Sequence, residues 1–175
     1  YIIAINPNAS PLRIERRWGA SRFASLARRL LECFPRLRLV CIGSAEEKPY
    51  VDSLCAMIEH PEDRMCNVAG SLTFEMLVAL FDRVRLVVTN DTGPLHLAAA
   101  MRKDTIALFG PCSPDQYGKL PGVYPIYANV YCSPCVHEFN TPPCKGRNAC
   151  MGAIDVETVF GAVTRALDGT LFDRR

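Results

Sequence analysis

No apolar run in this 175-residue sequence approaches the roughly 18 residues that a membrane-spanning helix needs, and no charged, apolar, small-residue leader opens it. Those absences lead to the expectation of a soluble protein. Charge of one sign is missing too. With 20 Lys and Arg against 18 Asp and Glu, the formal charge is +2, too small for a nucleic-acid binder, which calls for a clustered basic face. No G-x-G-x-x-G follows an apolar run, which argues against a dinucleotide-dependent oxidoreductase. There is no initiator methionine, and the chain opens inside an apparent strand, "YIIAI". The expectation is a domain cut from a longer chain.

What is present suits one full hydrophobic core: apolar residues make up 49% of the chain, and the length is that of a single domain. Apolar runs alternate with segments of helical spacing. "YIIAI", "LRLVCIG" (37–43), "MCNVAG" (65–70), "RLVVTN" (85–90) and "DTIALFG" (104–110) read as strands. Between and after them, "SRFASLARRLLECF", with Ser21 as its cap, "EEKPYVDSLCAMIEH", "SLTFEMLVALFDRV", "GPLHLAAAMR" and a closing helix capped by Asp155 read as helices. Continuous apolar strands alternating with helices predict a doubly wound α/β domain with a parallel, Rossmann-like sheet covered on both faces. Only residues 110–150 depart from this rhythm. They hold a turn-rich stretch, the apolar "VYPIYANVY" and a cysteine-rich loop at 132–150.

In such a sheet, ligands sit beyond the carboxyl ends of the strands, where helix N-termini offer free N–H groups. The polar residues fall there: Asn8 and Ser10, then Ser44 and Glu46, then Gly70 and Ser71, then Asp91 to Gly93. In "VVTNDTGPLHLAAA" (87–100), Gly93 permits close backbone approach, and the amides of Thr92, Gly93 and Leu95 open a helix whose positive end suits a phosphate. Pro94 has no N–H to lose there, Thr92 adds a hydroxyl, and His96 lies within a turn. A diphosphate held in this way needs no metal. The plainer alternative makes Asp91 a simple helix cap. The arginines at 13, 16, 17 and 22 can serve an anionic ligand, while Arg28 and Arg29 read as a solvated helix face.

The run "NDTGPLHLAAA" followed by "ALFGPCSP" resembles the signature of glycosyltransferase family 9, the lipopolysaccharide heptosyltransferases and their relatives. "INPNAS" is similar to that family's phosphate loop, "RRWG" to its Lys-x-Trp element, "IGSAEE" to its ribose-contacting strand end and "VAGSLTFEMLVALF" to its strand-to-helix link. The resemblance runs in order over about residues 1–168. It implies the C-terminal, donor-binding half of a two-domain GT-B enzyme, with the N-terminal acceptor half outside this chain. Ser10 and the amides of Thr92 and Gly93 would then hold the diphosphate of ADP-heptose or a similar donor. Glu46 would meet the ribose, and Asp91 and His96 would lie near the donor sugar or phosphate. Arg16 stands where relatives carry lysine, with Arg17 beside it, and the choice between the two is open. The implied reaction is attack by a hydroxyl of a lipopolysaccharide core or other glycan or lipid-linked acceptor on the anomeric carbon, with inversion. The implied general base lies in the N-terminal half, so this fragment should bind donor without transferring sugar. The rival functions are a nucleotide-sugar epimerase of the same architecture and a non-catalytic nucleotide- or metal-binding module. A cytoplasmic location follows, peripheral to the inner membrane if the acceptor is lipid-linked.

Nine cysteines are many for this length. Cys33, Cys41, Cys55, Cys66 and Cys112 sit in or beside apolar segments and read as small core residues. Cys132, Cys135, Cys144 and Cys150 form C-x2-C-x8-C-x5-C with His137 between them. A structural zinc, two disulfides, an iron–sulfur cluster and free thiols all remain open, and catalytic use of these thiols is not expected. No cofactor is expected for the reaction itself.

Overall fold

The computed structural model describes residues 1–58, 63–136, 142–144 and 147–172. Six strands, β1 (Ile2–Asn6), β2 (Arg38–Cys41), β3 (Met65–Asn67), β4 (Leu86–Asn90), β5 (Thr105–Phe109) and β6 (Val123–Tyr127), form one sheet in the order β3-β2-β1-β4-β5-β6. Every pairing is parallel. The winding reverses between β1 and β4, which places a crevice at the carboxyl ends of these two neighbours.

Side chains alternate across the sheet as the pleat requires. Ile3 and Ile5 of β1 join Leu39, Val88, Ile106 and Leu108 in one core, under α1 (Ala20–Cys33), α2 (Lys48–Cys55) and α7 (Val156–Leu167). Ala4 and Val87 face the other side, where Phe81 of α3 (Phe74–Arg83) and Ala98 of α4 (Gly93–Ala100) pack on them. Burial on both faces is why β4 and β5 are buried at every position, and why they read as unbroken apolar runs. Two short helices, α5 (Pro114–Tyr117) and α6 (Ala149–Ala153), complete the chain.

Several expectations change. "VYPIYANVY" contains a sixth strand, β6, which pairs with β5 and carries Pro125 opposite Ala107. Proline is compatible there because β6 is an edge strand with one unpaired side. Gly19, at φ 107°, precedes α1, and Ser21 lies inside the helix rather than capping it. Asp155 does cap α7, its carboxylate accepting from the Thr158 amide at 2.6 Å. Of the five cysteines read as core, Cys41 and Cys112 are buried and Cys55 is half-buried, but Cys33 and Cys66 are exposed. Cys66 lies on the other edge strand, β3, and Cys33 in the last turn of α1. The second expected helix ends at Cys55, and its last two expected residues, 59 and 60, lie outside the described residues. Among the described residues no helix is long and apolar enough to cross a membrane.

Candidate functional site

A buried polar lattice joins the loops that leave β1 and β4. Asn6 Nδ2 donates to Thr89 Oγ1 at 2.9 Å and to Thr92 Oγ1 at 2.8 Å. Asn90 Nδ2 donates to the carbonyls of Pro7 and Asn8, both at 3.0 Å, and its Oδ1 accepts from the Trp18 amide at 3.3 Å. Asn8 Nδ2 ties the same loop to the end of β2 through the Ile42 carbonyl at 2.9 Å. Asn6, Asn8, Thr89 and Asn90 are all buried. Because unpaired polar groups are costly in such surroundings, the lattice fixes the relative position of the two loops. Trp18, also buried, pins the following segment with an indole N–H bond of 2.8 Å to the Ile154 carbonyl.

Above this lattice opens a cavity of about 350 Å³. Ser10, Thr92, Gly93 and Pro94 line its polar end, and Ile42, Leu72, Phe74 and Leu77 its apolar wall. Gly43, Ser44 and Glu47 close the side after β2. The polar end is the start of α4, whose first amides have no acceptor within the helix. A Cβ placed on Gly93 would meet nothing within 4 Å, and the backbone there does not need a glycine conformation. The loop that follows β3 packs closely against the loop after β2: Gly70, at φ 75°, brings its backbone so near that an added Cβ would lie 3.1 Å from the Ala45 Cα. This contact sets the apolar wall against the side after β2.

Of the residues expected from the sequence, Ser10, Thr92 and Gly93 therefore lie together on the cavity. Thr92 is the N-cap of α4, but its hydroxyl accepts from Asn6 instead of capping the helix. The Leu95 amide is already bonded to the Thr92 carbonyl at 2.9 Å and is not available to a ligand. Asp91 is not the helix cap. It is buried, neither carboxylate oxygen has a hydrogen-bond partner of good geometry, and it is absent from the cavity lining. What faces it is Arg16, whose Nη1 lies 3.6 Å from Oδ2 and donates to the Asp91 carbonyl at 3.1 Å. The Cys112 thiol is the other neighbour, its pKa pushed up to about 12 by burial first and by the Asp91 charge next.

Arg16 and Arg17 end a short 3-10 turn, Pro11–Arg16 and the residue after it, and diverge. Arg17 lies over the Tyr50 ring, 4.1 Å from its centroid, and donates to the Ala9 carbonyl at 3.3 Å, strapping α2 to the first loop. Arg16 reaches the carbonyl of Asp91, just before α4, and neither Arg16 nor Arg17 is part of the cavity lining. Glu46 is exposed and off the cavity, whereas its neighbour Glu47 lines it, held by reciprocal bonds with Ser44 at 2.9 and 3.3 Å. His96 is exposed, off the cavity lining, and packs edge-on against Tyr117 with centroids 4.6 Å apart. Asn6, Glu47 and the Leu72–Phe74–Leu77 wall were not singled out from the sequence. The available signal was an asparagine ending a buried strand, and an aromatic at the first position of a capped helix.

Cys132, Cys135 and Cys150 carry free thiols. Cys135 is raised in pKa by burial and then by the charges of Cys132 and Cys144, and burial raises Cys150 as well. Among the described residues, no three His, Cys, Asp or Glu side chains come together to hold a metal ion. His137 and the loop residues 138–141, 145 and 146 lie outside the described residues.

Comparison with known proteins identifies the family and the same fold. The family model for glycosyltransferase family 9 (heptosyltransferase) matches residues 1–148. Lipopolysaccharide heptosyltransferase 2 of Salmonella typhimurium is 34% identical over 101 residues, covering 57% of this chain and 28% of that protein. Lipooligosaccharide heptosyltransferase 2 of Campylobacter jejuni is 28% identical over 166 residues, covering 91% of this chain and 49% of that protein. The chain thus spans half or less of these relatives. The fold matches the E. coli ADP-heptose lipopolysaccharide heptosyltransferase II structure with a TM-score of 0.76 at 24% identity, over 97% of this chain and 46% of that one. It matches E. coli heptosyltransferase WaaC with ADP with a TM-score of 0.71 at 16% identity, over 94% of this chain and 44% of that one. A parallel sheet with its polar loops at the β1 and β4 ends and a family match over most of its length make this chain a member of glycosyltransferase family 9, the heptosyltransferase family.

Proposed function

We propose that the 175 residues form one donor-binding domain, the C-terminal half of an inverting GT-B heptosyltransferase, and that the cavity holds a nucleoside-diphosphate sugar such as ADP-heptose. The observation that carries this reading is the cavity itself. One end is the start of α4, where Ser10, Thr92 and Gly93 line the cavity, and Arg16 donates to the Asp91 carbonyl just before that helix, from outside the lining. A diphosphate there would be met by helix-end N–H groups and a guanidinium, with no metal needed.

In this reading Arg16, Thr92 and Gly93 stabilise the nucleoside diphosphate as its charge develops on departure. Glu47 accepts from the ribose hydroxyls in place of Glu46. Asp91 sits behind Arg16 and aims it, rather than touching the donor sugar. His96 stands further along α4 and is assigned no donor contact. Attack by a hydroxyl of a lipopolysaccharide core or similar glycan on the anomeric carbon needs a base, which we place in the N-terminal half. The chain alone should therefore bind donor without transferring sugar. Work at a lipid-linked acceptor would place the whole enzyme on the cytoplasmic side, peripheral to the membrane.

Calorimetric titration with ADP, GDP, UDP and CDP, without added metal, tests the proposal. Saturable binding of one of them at a single site is expected. Silence from all four in a folded sample would remove the donor-site reading.

A further inference from the structure

We propose that Cys55 and Cys41 are a peroxide-sensitive thiol pair: a hydroperoxide oxidises Cys55, and Cys41 then closes a disulfide that ties the end of α2 to the end of β2. Neither residue lines the cavity, so the pair is a site of its own whatever the cavity holds.

Two elements bring the thiols together. Cys41 is the last residue of β2 and Cys55 the last residue of α2. Val51 and Leu54 of α2 are buried in the same core as Cys41, and Cys55 packs against that core from its rim. The two thiols are hydrogen-bond partners there. The register turns Cys66 away from the pair: on β3 it stands opposite Val40, whereas Asn67 stands opposite Cys41. Alternation along a strand therefore sends the Cys66 and Cys41 side chains to opposite faces of the sheet. Asn67, on the Cys41 face, donates to the Asp52 carboxylate at 2.7 Å and so holds α2 over the pair.

The two thiols are also unlike. Cys41 is fully buried, and its bond to Cys55, together with burial, pushes it well up, so it stays an S–H. Cys55 is half-buried beside the exposed Ala56 and Met57. The bond from Cys41 holds the Cys55 thiol below its ordinary value against the opposing effects of burial and Asp52, with Lys48 assisting. Burial pushes up the thiols of Cys112, Cys135 and Cys150; Cys55 goes the other way. A thiolate within reach of solvent, beside a second thiol, is the arrangement from which a reversible oxidation proceeds. The Cys55 thiolate attacks hydrogen peroxide, the O–O bond breaks, and the products are the Cys55 sulfenic acid and hydroxide. The Cys41 sulfur then bonds to the Cys55 sulfur as the S–O bond breaks, and the Cys41 proton leaves with that oxygen as water. The disulfide closes the stretch that carries Ile42, Gly43, Ser44 and Glu47, the side of the cavity after β2.

The test treats the 175-residue chain with one equivalent of hydrogen peroxide and reads the tryptic peptide 39–64, which contains Cys41 and Cys55 and no other cysteine. Trypsin leaves it whole because Pro49 follows Lys48. The peptide should become lighter by two hydrogens and regain its reduced mass with dithiothreitol. The Tm should rise on oxidation by roughly 6–12 °C, the size expected when a cross-link closes a loop of this length in a chain of this size. Cys55→Ser should lose both changes. Cys41→Ala should halt Cys55 at the sulfenic acid, which dimedone traps on the same peptide; the wild type and Cys55→Ser decide the matter even where Cys41→Ala does not fold. A 39–64 peptide that stays reduced overturns the proposal, whether or not Cys33 and Cys66 are oxidised, and so does a disulfide joining Cys66 to either residue. A disulfide between Cys41 and Cys55 that leaves the Tm unchanged overturns the claim that it ties α2 to β2.

Discussion

Replacing Gly93 by alanine separates what the fold needs from what a ligand needs. Gly93 occupies the first position of α4, on the cavity. Its backbone does not use a conformation reserved for glycine, and a Cβ there would meet no protein atom within 4 Å. The fold alone would therefore accept alanine. Alanine exceeds glycine in helix propensity by up to about 1 kcal/mol in a helix interior, and by less at the first position. A chain of this size gains roughly 2–4 °C in Tm per kcal/mol, so Gly93→Ala should melt at or slightly above the wild-type temperature. Binding should move the other way, because the new methyl occupies the face where a phosphate would approach the Thr92 and Gly93 amides. Losing one hydrogen bond to a charged group costs about 1.5–3 kcal/mol, or roughly 10- to 150-fold in Kd. Thermal melting and calorimetry on the same preparations give both numbers. A variant that binds ADP as tightly as the wild type would refute the placement of the diphosphate at α4, and one that melts well below it would refute the claim that glycine serves only the ligand.

The two arginines should part in the same pair of assays. Arg16→Ala should weaken nucleoside diphosphate by roughly 10- to 150-fold, whereas Arg17→Ala should lose about 0.5–2 kcal/mol of stability with its Tyr50 contact and change affinity by less than about threefold; the reverse assignment would show in the first titration. Thr73→Ala removes the cap of α3 and should cost about 1 kcal/mol, measured by urea denaturation, with little change if the cap bond is unimportant. Cys112 gives a pH prediction: a folded thiol raised to about 12, against about 8.5 for a free one, supports the fold below pH 8.5 and loses that support as pH rises toward 12. Comparing urea midpoints at stepped alkaline pH, Cys112→Ala should lose less stability than wild type across that window, and parallel curves would count against the buried thiol. Ellman's reagent at pH 8 should label the exposed Cys33 and Cys66 rapidly, and rapid labelling of Cys41 or Cys112 would contradict their burial.

The spine of the fold was legible because physics writes it into local sequence. β1, β4 and β5 are covered on both faces, so their apolar runs had no polar interruption to obscure them. β6 was harder to read for the opposite reason. As an edge strand it buries little beyond Ile126, and its Pro125 resembles a strand breaker until the unpaired side is known. Cys33 and Cys66 illustrate the same limit from the other direction: apolar neighbours say that an element is near the core, but not which of its side chains points there.

The site divides along a similar line. Its location followed from loop chemistry, since asparagine, serine and glycine at the carboxyl ends of β1, β2 and β4 have little other reason to gather there. Which of two adjacent, like-charged residues meets a ligand could not follow, because neighbouring side chains diverge around a tight turn and long-range partners decide their directions. Tyr50, 33 residues after Arg17, claims that arginine through its ring, and Asp91, 75 residues after Arg16, draws the other. Ser44 selects Glu47 over Glu46 by the reciprocal bonds that open α2. The most informative case is Asp91, which stands in the middle of the most recognisable stretch of the sequence yet turns away from the cavity. A carboxylate placed directly on a diphosphate would repel it. Buried, with one carboxylate oxygen 3.6 Å from Arg16 Nη1, the same charge can instead orient the guanidinium that the proposed donor site calls for.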